Sequence, residues 1–511
     1  MFAKDIKAEV RKQLKKHYPN WNRLNRKKKK KISKAVLEEV VNSYDLEKPI
    51  DTPLCELLGI EDQVPSSEVM SLEEMAGFIE AHHNSLLFPL KQDKRHASYI
   101  QDEELRIIDE LLEDQIINKL LFYEGYTPAM RDFSPSMFLR AEILKAIKYA
   151  EISYRKFCGD DKAYKNHKAT SPYIGMKQKE NRCFIGLPLV RQQMLNHVQL
   201  SQFRKSLSFS QNVNLLVYML YQFKQHGFLS SEDLHFVDST ELATDNHQLL
   251  ATVEIKGQKI RIYSDIDCDC GKRRKKRDKS EYVIGYRLHT LTAINPQTGH
   301  SYPLLSVLAA ANHHDSNFLL PLINLAQAIG LDVKLITADE AYNDSKGELF
   351  EETGVHLIKP PSTRVLLPEN VDAETMQVTL DDHCQIAMDY VGVENGYHEF
   401  KCGAASGECF RAVNCAQFRQ IPIDNGYFQR ILYDSESVAK AIEIRKNGER
   451  PFNLLKHREG LEPIRVRSQH ALFVRSTIAT MATLLLQIAG TRKKKDKKKT
   501  KAEQLPIAAG F

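Results

Sequence analysis

The stretch of sequence that decides the fold is Leu234-His235-Phe236-Val237-Asp238-Ser239-Thr240. It begins with a short, mostly apolar run that favours extended structure and then changes to an acid and two small hydroxyl residues. A carboxylate is costly inside a buried strand and is tolerated just past its end. The stretch therefore predicts a buried strand with Asp238 at its carboxyl end.

A second apolar run, 333–337, has the same pattern and leads into Ala338-Asp339. Between the two runs, alternation of apolar and polar residues and helical spacing predict further elements. They are a hairpin at 253–262 that turns at Lys256-Gly257, strands at 282–294 and 302–311, and a helix at 315–329 ended by Gly330. Antiparallel strands, a helix and a further strand predict an α/β fold with a mixed sheet.

Acids that follow two strands suit metal-ion catalysis on phosphodiesters. Neighbouring strand ends would bring Asp238 and Asp339 within reach of a shared pair of divalent ions, which lie about 3.5–4 Å apart in two-metal sites. Hard carboxylate oxygens favour Mg²⁺ or Mn²⁺ as those ions. The alternative interpretation is structural, because acidic residues often follow strands without any catalytic role.

A third acidic candidate lies in the spacing Arg445-x3-Glu449-x6-Lys456. Gly448 is expected to end the preceding helix, and Pro451 suits the first turn of the next one. Glu449 would then begin a helix, with Lys456 roughly 10 Å further along the same face. In this arrangement Glu449 adds a metal ligand, and the two cations hold the DNA. An exposed helix with a weak ion pair is the structural alternative.

Four short segments, in their order along the chain, resemble the characteristic blocks of bacterial insertion-sequence transposases with a ribonuclease-H-like catalytic domain. They are 237–240 (Val-Asp-Ser-Thr), 285–289 (Gly-Tyr-Arg-Leu-His), 311–316 (Ala-Asn-His-His-Asp-Ser) and 338–342 (Ala-Asp-Glu-Ala-Tyr). The region 445–485 resembles the last block of that family, which carries a Tyr-x2-Arg-x3-Glu-x6-Lys signature. Its last three residues fall on Arg445, Glu449 and Lys456, whereas Ile442 stands at the Tyr position.

This resemblance implies a ribonuclease-H-like DDE catalytic domain that performs metal-dependent DNA transposition. Asp238 and Asp339 would be ligands of both metal ions, and Glu449 would bind the second ion. Water would cleave the transposon end, and the freed 3′-hydroxyl would attack target DNA. The implied partners are two Mg²⁺ or Mn²⁺ ions, double-stranded DNA of the terminal inverted repeats and the target, and a second copy of the chain on DNA.

Two other functions remain as alternatives. One is a metal-dependent nuclease of the same fold that cleaves DNA without strand transfer. The other is an inactive, transposase-derived DNA-binding protein. Ile442 at the Tyr position favours the second alternative, whereas the presence of all three acids argues against it.

The charge of the chain is unevenly distributed. Residues 1–34 hold 14 Lys and Arg against 2 Asp and Glu, and residues 491–511 hold 8 against 2. Since the whole chain carries +6, residues 35–490 carry −12. Basic ends on an acidic body indicate contact with nucleic acid, because phosphate neutralisation dominates sequence-independent DNA affinity. For 491–511 a solvated, disordered tail is an equal alternative.

Within the acidic body, one basic run is predicted to lie in a loop between strands of the catalytic domain. We expect it to contact the DNA backbone in a salt-dependent way that is insensitive to sequence. The run consists of Lys272, Arg273, Arg274, Lys275, Lys276 and Arg277.

Two segments compete for the recognition of transposon ends. One is the basic segment 11–34. The other is 196–204, with Leu200, Phe203 and Arg204, which could form the second helix of a helix-turn-helix motif after a first helix at 187–194. The alternative for the second segment is a helical scaffold packed on the catalytic core.

The interval between the second and third acids is longer than one strand and one helix need, and we expect an insertion there. Its cysteines, in the spacing C-x17-C-x6-C-x5-C, could hold a structural Zn²⁺, although no C-x2-C pair is present. They are Cys384, Cys402, Cys409 and Cys415, with His383 and His398 as substitute ligands. Cys268 and Cys270 are expected to belong to a polar loop rather than to a metal site.

These patterns divide the chain into six parts. They are a helical, basic region (1–155), a linker (156–186), a helical block (187–233), the catalytic domain (234–345 and 430–490), the insertion (346–429) and the basic tail (491–511). The apolar stretch 471–488 contains Arg475 and several hydroxyl residues, which predicts a buried helix ended by Gly490 rather than a membrane span. We expect a cytoplasmic, reducing location, in which the nine cysteines form no disulfide framework.

Overall fold

The structure is a computed structural model that describes the greater part of the chain. The described residues are 2–44, 54–60, 63, 65–83, 97–121, 133–159, 175–187, 194–245, 247–274, 280–339, 341–344, 348–359, 370–371, 377–380, 384, 386–403, 418–422, 443–445, 450–458, 461–462, 464 and 468–503.

The described part before the first strand is helical. Ser71, Asn196 and Ser208 each begin a helix with a capping box, which satisfies backbone N–H groups of the first turn. The helices are α1 (Phe2–His17), α2 (Arg26–Ser43), α3 (Leu54–Leu58), α4 (Leu72–His82), α5 (Glu103–Leu111), α6 (Asp114–Leu120), α7 (Pro135–Tyr149), α8 (Tyr154–Phe157), α9 (Lys179–Ile185), α10 (His197–Ser206) and α11 (Phe209–Gln225).

Strands and helices alternate in the rest of the chain. The first group comprises β1 (Leu234–Ala243), β2 (Leu249–Ile255), β3 (Gln258–Tyr263), β4 (Asp269–Arg274), β5 (Ser280–Ile294), β6 (Ser301–Ala310), α12 (Leu319–Ala328), β7 (Leu335–Ala338), α13 (Glu348–Thr353) and β8 (His356–Ile358). The second group comprises β9 (Met388–Glu394), β10 (Tyr397–Cys402), β11 (Phe418–Pro422), α14 (Arg450–Asn453), a π-helical segment (Leu454–Arg458) and α15 (Gln469–Glu503).

The main sheet is organised around β5. One edge of β5 pairs antiparallel with β1, and the other edge pairs antiparallel with β4 and then with β6. Beyond β1 the pairing becomes parallel, first to β7 and then to β8. The prediction of an α/β fold with a mixed sheet is confirmed.

The predicted hairpin is also confirmed, as β2 and β3. Its turn residues Lys256 and Gly257 have φ values of 48° and 77°. Positive φ at both central positions fits a type I′ turn, which glycine adopts without steric cost.

The strand that carries Asp238 is longer than predicted. β1 continues to Ala243 because β5 offers backbone partners along this whole length. The parallel pairing between β1 and β7 is much shorter and ends at Val237 and Ala338. Asp238 therefore lies inside a strand but just past the end of its parallel pairing, and the prediction that it follows the strand end was wrong.

Helix α15 contains the apolar stretch that was predicted to be buried. Its segment Gln469–Gly490 is long and apolar enough to cross a membrane, but 89% of its most apolar window is buried inside the protein. Ile478, Met481 and Leu484 are fully buried in the core cluster that also includes residues of the sheet. The prediction of a buried helix is confirmed.

The predicted end of this helix was wrong, because α15 continues past Gly490 to Glu503. Gly490 does not adopt the left-handed backbone of a helix-ending glycine. The Lys and Arg residues that follow have good helix propensity, so they extend the helix into the segment predicted as a disordered tail. Residues 504–511 of that segment lie outside the described part of the chain.

The described parts of the predicted linker, 156–186, are folded. Phe157 of α8 and Phe184 and Ile185 of α9 are fully buried. The backbone oxygen of Phe184 accepts a hydrogen bond from Arg140 of α7 at 3.2 Å. The polar composition that suggested a linker belongs mainly to 160–174, which lies outside the described residues.

Helices α1 and α2 are attached to the hairpin β2–β3 of the catalytic domain. Trp21, between the two helices, belongs to an apolar cluster with Leu250 and Ile262. The indole Nε1 of Trp21 donates to the backbone oxygen of Ser264 at 3.1 Å. In the acidic loop after the hairpin, Lys15 pairs with Asp267 at 3.1 Å and Lys7 pairs with Asp269. The basic amino-terminal helices are thus held by the catalytic domain.

Trp21 is the only tryptophan in the sequence and is 4% exposed, so its fluorescence reports on this attachment. We expect Leu250→Asp to place a charge in the apolar cluster, loosen α1 and α2 and shift the Trp21 emission to longer wavelength. Thr252→Asp, at an exposed position of the same strand, is the matched control and should leave the emission unchanged. Identical emission spectra for the two variants would contradict the packing.

Candidate active site

Asp238 and Asp339 lie side by side on neighbouring strands. Val237 of β1 and Ala338 of β7 are the last partners of the parallel pairing. Each acid is the next residue of its chain, so the register places both at equivalent positions. Because paired strands lie about 4.7–4.9 Å apart, the two carboxylates are within reach of a shared cation.

The negative charge of Asp238 is unfavourable in this position. Burial raises the pKa of Asp238 to about 7, and the negative charges of Asp339 and Asp315 raise it as well. The backbone N–H of Ser239, 2.7 Å from Asp238 Oδ1, and the cation of Arg445 have the opposite effect on the pKa. A divalent cation would stabilise both carboxylates, so the charge and the donor oxygens fit a metal site at Asp238 and Asp339.

Arg445 reaches the same place from the carboxyl-terminal part of the chain. Its guanidinium carbon lies 5.3 Å from the ring centroid of Phe236, a cation–π contact. Phe236 lies two residues before Asp238 on β1, and side chains two residues apart share one face of a strand. The structure therefore brings together three of the predicted site residues, Asp238, Asp339 and Arg445.

The third predicted acid, Glu449, lies outside the described residues, and α14 begins directly after it at Arg450. Among the described residues, no group of three or more His, Cys, Asp and Glu is close enough to hold a metal ion. The role of Glu449 as a metal ligand therefore stays a prediction.

Lys456 lies in the π-helical segment, not in a second turn of regular α-helix as predicted. The chain turns back here, because the backbone N–H of Glu462 donates to the oxygen of Lys456 at 3.0 Å. The Nζ of Lys456 also pairs with Glu462 Oε1 at 3.2 Å. Lys456 is thus engaged within the chain.

A polar network that was not predicted from the sequence lies beside Asp238. Oδ1 of Asp315 accepts hydrogen bonds from Arg287 Nη1 at 2.7 Å and from Ser239 Oγ at 3.2 Å. Arg287 Nη2 donates to Glu241 Oε1 at 3.1 Å. The available signal was the presence of Arg287 and Asp315 in the blocks 285–289 and 311–316.

Behind this network lies a buried aromatic group. His289 stacks on Phe318 with ring centroids 4.0 Å apart, and its Nδ1 lies 3.0 Å from the hydroxyl of Tyr342. Burial lowers the pKa of His289, and the charges of Arg287 and His313 lower it further. His289 is therefore neutral at physiological pH and supports the site by packing.

The first half of the basic run 272–277 is a strand. Lys272, Arg273 and Arg274 end β4 and pair with residues 280–282 of β5, so the prediction of a loop was wrong for them. The cause is that β5 begins earlier than predicted and supplies backbone partners. Lys275, Lys276 and Arg277 lie outside the described residues, and DNA contact by the whole run stays a prediction.

The insertion contains a three-stranded antiparallel sheet, β9–β10–β11, with its own small core around Phe400 and Met388. Cys402 ends β10, whereas Cys409 and Cys415 lie outside the described residues. His398 is buried in β10, and burial lowers its pKa to about 4. A zinc site formed with Cys384 stays a prediction.

The prediction of a polar loop was wrong for Cys270, which is part of β4, whereas the loop before β4 does contain Cys268. The side chain of Cys268 is fully buried in a hydrophobic cluster, and burial raises the pKa of its thiol. Cys270 is half-buried in β4.

The proposed recognition helix at 196–204 is packed against the scaffold. In α10, Leu200, Phe203 and Arg204 are all buried. The guanidinium of Arg204 pairs with Glu142 and lies 4.2 Å from the ring centroid of Tyr154. These contacts favour the alternative of a helical scaffold, because residues that read DNA bases must reach the surface.

A comparison with known families supports the sequence resemblance. A family model described as "Transposase DDE domain" matches residues 230–485, half of the chain. The chain therefore belongs to the family of transposases with a DDE domain, which are nucleic-acid-cleaving enzymes that use divalent metal ions. No curated protein matches the chain.

The raised pKa of Asp238 makes protein stability depend on pH. Its pKa is about 7 in the folded protein against an ordinary value of 3.8, so the folded state binds more protons between these values. The free energy of unfolding of the wild type should therefore fall as the pH rises from about 4 to about 7. Asp238→Asn should lack this fall and be more stable at pH 8 by up to roughly 4 kcal/mol.

Chemical denaturation with a chelator present measures this difference. Asp332→Asn is the control, because the side chain of Asp332 is 59% exposed. It should follow the wild type at every pH. A difference between Asp238→Asn and the wild type that does not change with pH would contradict the assigned cause.

Proposed function

We propose that this transposase cleaves DNA at transposon ends and joins the freed ends to target DNA, with Asp238, Asp339 and Glu449 holding two Mg²⁺ or Mn²⁺ ions. The observation that carries the proposal is the side-by-side placement of Asp238 and Asp339 within the segment matched by the family model. The register of β1 and β7 places the two carboxylates next to each other, which suits a rigid metal site. Phosphoryl transfer needs such a site to align the nucleophile, the phosphate and the leaving group.

The residues of the chain have separate tasks in this proposal. Bound divalent ions would activate the attacking oxygen and stabilise the leaving oxygen. Asp339 is oriented by the backbone N–H of Ala341, which donates to its Oδ1 at 2.9 Å. Arg445, seated over Phe236, is placed to bind non-bridging oxygens of the scissile phosphate. Lys456 is a weaker candidate for this contact, because Glu462 already engages it.

Two substitutions at phosphorus complete the reaction. In the first, water attacks the phosphodiester at the transposon end, and the 3′-oxygen leaves as a hydroxyl. In the second, this 3′-hydroxyl attacks a target phosphodiester, so that one P–O bond forms as another breaks. Both steps require the same alignment of nucleophile, phosphate and leaving group, so one site serves both.

Asp339→Asn tests the metal site. We expect the variant to bind transposon-end DNA with near-normal affinity and to lose Mg²⁺-dependent cleavage, because an amide does not offer an anionic ligand. Asp332→Asn removes an exposed carboxylate just before β7, the strand that leads to Asp339, and this variant should cleave normally. Robust cleavage by Asp339→Asn would refute the assignment.

A strand-transfer assay separates a transposase from a nuclease of the same fold. A labelled, precleaved transposon end is incubated with target plasmid and Mg²⁺. Covalently joined product is the expected result. Cleavage of uncut ends without any joined product would favour the nuclease alternative. Failure of both reactions with intact DNA binding would favour the inactive, DNA-binding alternative.

The surface proposed to bind DNA is the exposed face of α2. Residues 10–37 contain no acidic side chain. The opposite face of α2 buries Val36, Leu37 and Val40 against the hairpin, which fixes the helix to the catalytic domain. The exposed basic residues are Arg26, Lys27, Lys28, Lys30, Lys31 and Lys34. Such a surface neutralises backbone phosphates and releases their counterions.

Replacing Lys27, Lys28 and Lys31 together by alanine tests this surface. We expect DNA affinity at about 0.1 M salt to fall at least about tenfold, uniformly across sequences, and the salt dependence to lose about 2 to 3 units of slope. The charge-matched control replaces three exposed lysines elsewhere, Lys224, Lys334 and Lys401, by alanine. Equal losses in the two triple variants would show that α2 has no special role.

A further inference from the structure

Two consecutive residues before α12 touch both segments that carry the candidate metal ligands. Asp315 contacts the β1 side, because its Oδ1 accepts the hydroxyl of Ser239 at 3.2 Å. Ser316 contacts the β7 side, because its Oγ accepts the backbone N–H of Asn343 at 3.0 Å and lies 3.1 Å from the backbone oxygen of Ala341. Ser239 directly follows Asp238, and Ala341 is two residues after Asp339.

We propose that Asp315 and Ser316 are positioning residues that fix the separation of the Asp238 and Asp339 carboxylates. This 315–316 bridge does not touch the reacting atoms and acts through the two segments that it joins. The inference rests on the proposed metal site and adds the residues that hold its geometry.

The bridge is needed because the sheet stops aligning the strands just before the acids. The parallel pairing of β1 with β7 ends at Val237 and Ala338. Beyond that point no backbone pairing between β1 and β7 sets the distance between the two acids. Consecutive Cα atoms are held about 3.8 Å apart by the covalent chain, so a bridge made of neighbouring residues has a fixed length.

The Asp315 end of the bridge is anchored in the polar network. Asp315 is 9% exposed, and its Oδ1 also accepts from Arg287 at 2.7 Å. Arg287 is held in turn by Glu241. The carboxylate of Asp315 therefore cannot rotate away from Ser239 without breaking a charge-assisted hydrogen bond.

The Ser316 end is anchored by its own backbone and by its partner loop. The backbone N–H of Ser316 donates to His314 Nδ1 at 3.3 Å. In the loop, Asn343 Oδ1 accepts from Lys359 Nζ at 2.6 Å. Both ends of the bridge are thus joined to further groups, which makes it a stiff connection between the two strands.

Ser316→Ala tests the bridge in the full-length protein with Mn²⁺ alone as the probe. The loss of free Mn²⁺ signal in electron paramagnetic resonance measures binding without DNA or catalysis. Loss of the hydroxyl contacts to Ala341 and Asn343 should weaken Mn²⁺ binding about threefold to tenfold. Ser316→Thr keeps the hydroxyl and should restore the affinity. A merely structural role would leave Mn²⁺ affinity unchanged at temperatures where the variant is folded.

Ser306→Ala is the matched control. It removes one hydroxyl of the buried Thr290–Ser306 hydrogen bond, 2.9 Å long, within the same sheet. This variant should lose comparable stability and bind Mn²⁺ like the wild type. An equal loss of Mn²⁺ affinity in Ser306→Ala and Ser316→Ala would overturn the proposal.

The double variant Ser239→Ala, Ser316→Ala distinguishes a bridge from two local supports. A bridge fails when either end is cut, so the second substitution should add little to the loss of affinity caused by the first. If the loss of Mn²⁺ affinity in the double variant equals the product of the losses in the two single variants, the bridge is overturned. DNA affinity should be unchanged in all these variants.

The same measurement separates failure of the bridge from failure of the proposed function. If Asp238→Asn abolishes Mn²⁺ binding while Ser316→Ala binds like the wild type, the metal site stands and the bridge is wrong. If the wild type binds no Mn²⁺, or Asp238→Asn binds it normally, the proposed metal site is wrong and the bridge with it.

Discussion

The parallel pairing of β1 with β7 is the constraint on which the rest of the structure depends. It spans only three residue pairs, from His235–Ile336 to Val237–Ala338, yet it brings together the two segments that carry the acids. The ten-residue antiparallel ladder between β1 and β5 holds β1 rigidly on its other edge. The sheet therefore forces two like charges together at a partly buried place. Such an arrangement lowers stability and suits the metal site that we propose.

The surroundings of the basic side chains distinguish residues that stabilise the fold from residues that can bind DNA. Three arginines of the scaffold are each matched by a carboxylate: the buried Arg140 pairs with Asp114, the buried Arg204 pairs with Glu142, and the half-buried Arg287 pairs with Asp315. A buried charge without a partner would be strongly destabilising, so these residues serve the fold. The exposed Lys27, Lys28, Lys30 and Lys31 of α2 lie in a stretch without acids and have no such structural need. Their charge is available to a polyanion.

The strands and their chemistry could be predicted from local patterns, but their register could not. Apolar runs before Asp238 and Asp339 indicated two buried strands, and Lys256-Gly257 indicated a hairpin, because these signals lie within a few residues. The side-by-side placement of the acids depends on backbone pairing between segments about a hundred residues apart, which leaves no local pattern. The extension of β1 past Asp238 has the same origin, since its partner β5 is distant in sequence.

The polar network was missed for a related reason. Asp315 and Arg287 are ordinary residues of a helix start and a strand when each is considered alone, and only the fold brings them together at 2.7 Å. For Arg204 the sequence left DNA contact and a helical scaffold as equal alternatives, and its partner Glu142, in a different helix, favours the scaffold. Gly490 was misjudged because a glycine ends a helix only where the backbone turns left-handed, and the surrounding residues favoured continuation.

The position of α15 affects how the enzyme folds during its synthesis. Val474, Ile478 and Leu485 fill the same core as Val237 and Leu291 of the sheet, so that core is incomplete until residues near 490 have been synthesised. The sheet that aligns Asp238 with Asp339 is therefore completed late, from segments made at widely separated times. Long-range contacts of this kind fold slowly and leave apolar surface exposed in the interim. A growing chain would carry its basic amino-terminal helices well before it could cut DNA, which delays the chemistry until α15 has been synthesised.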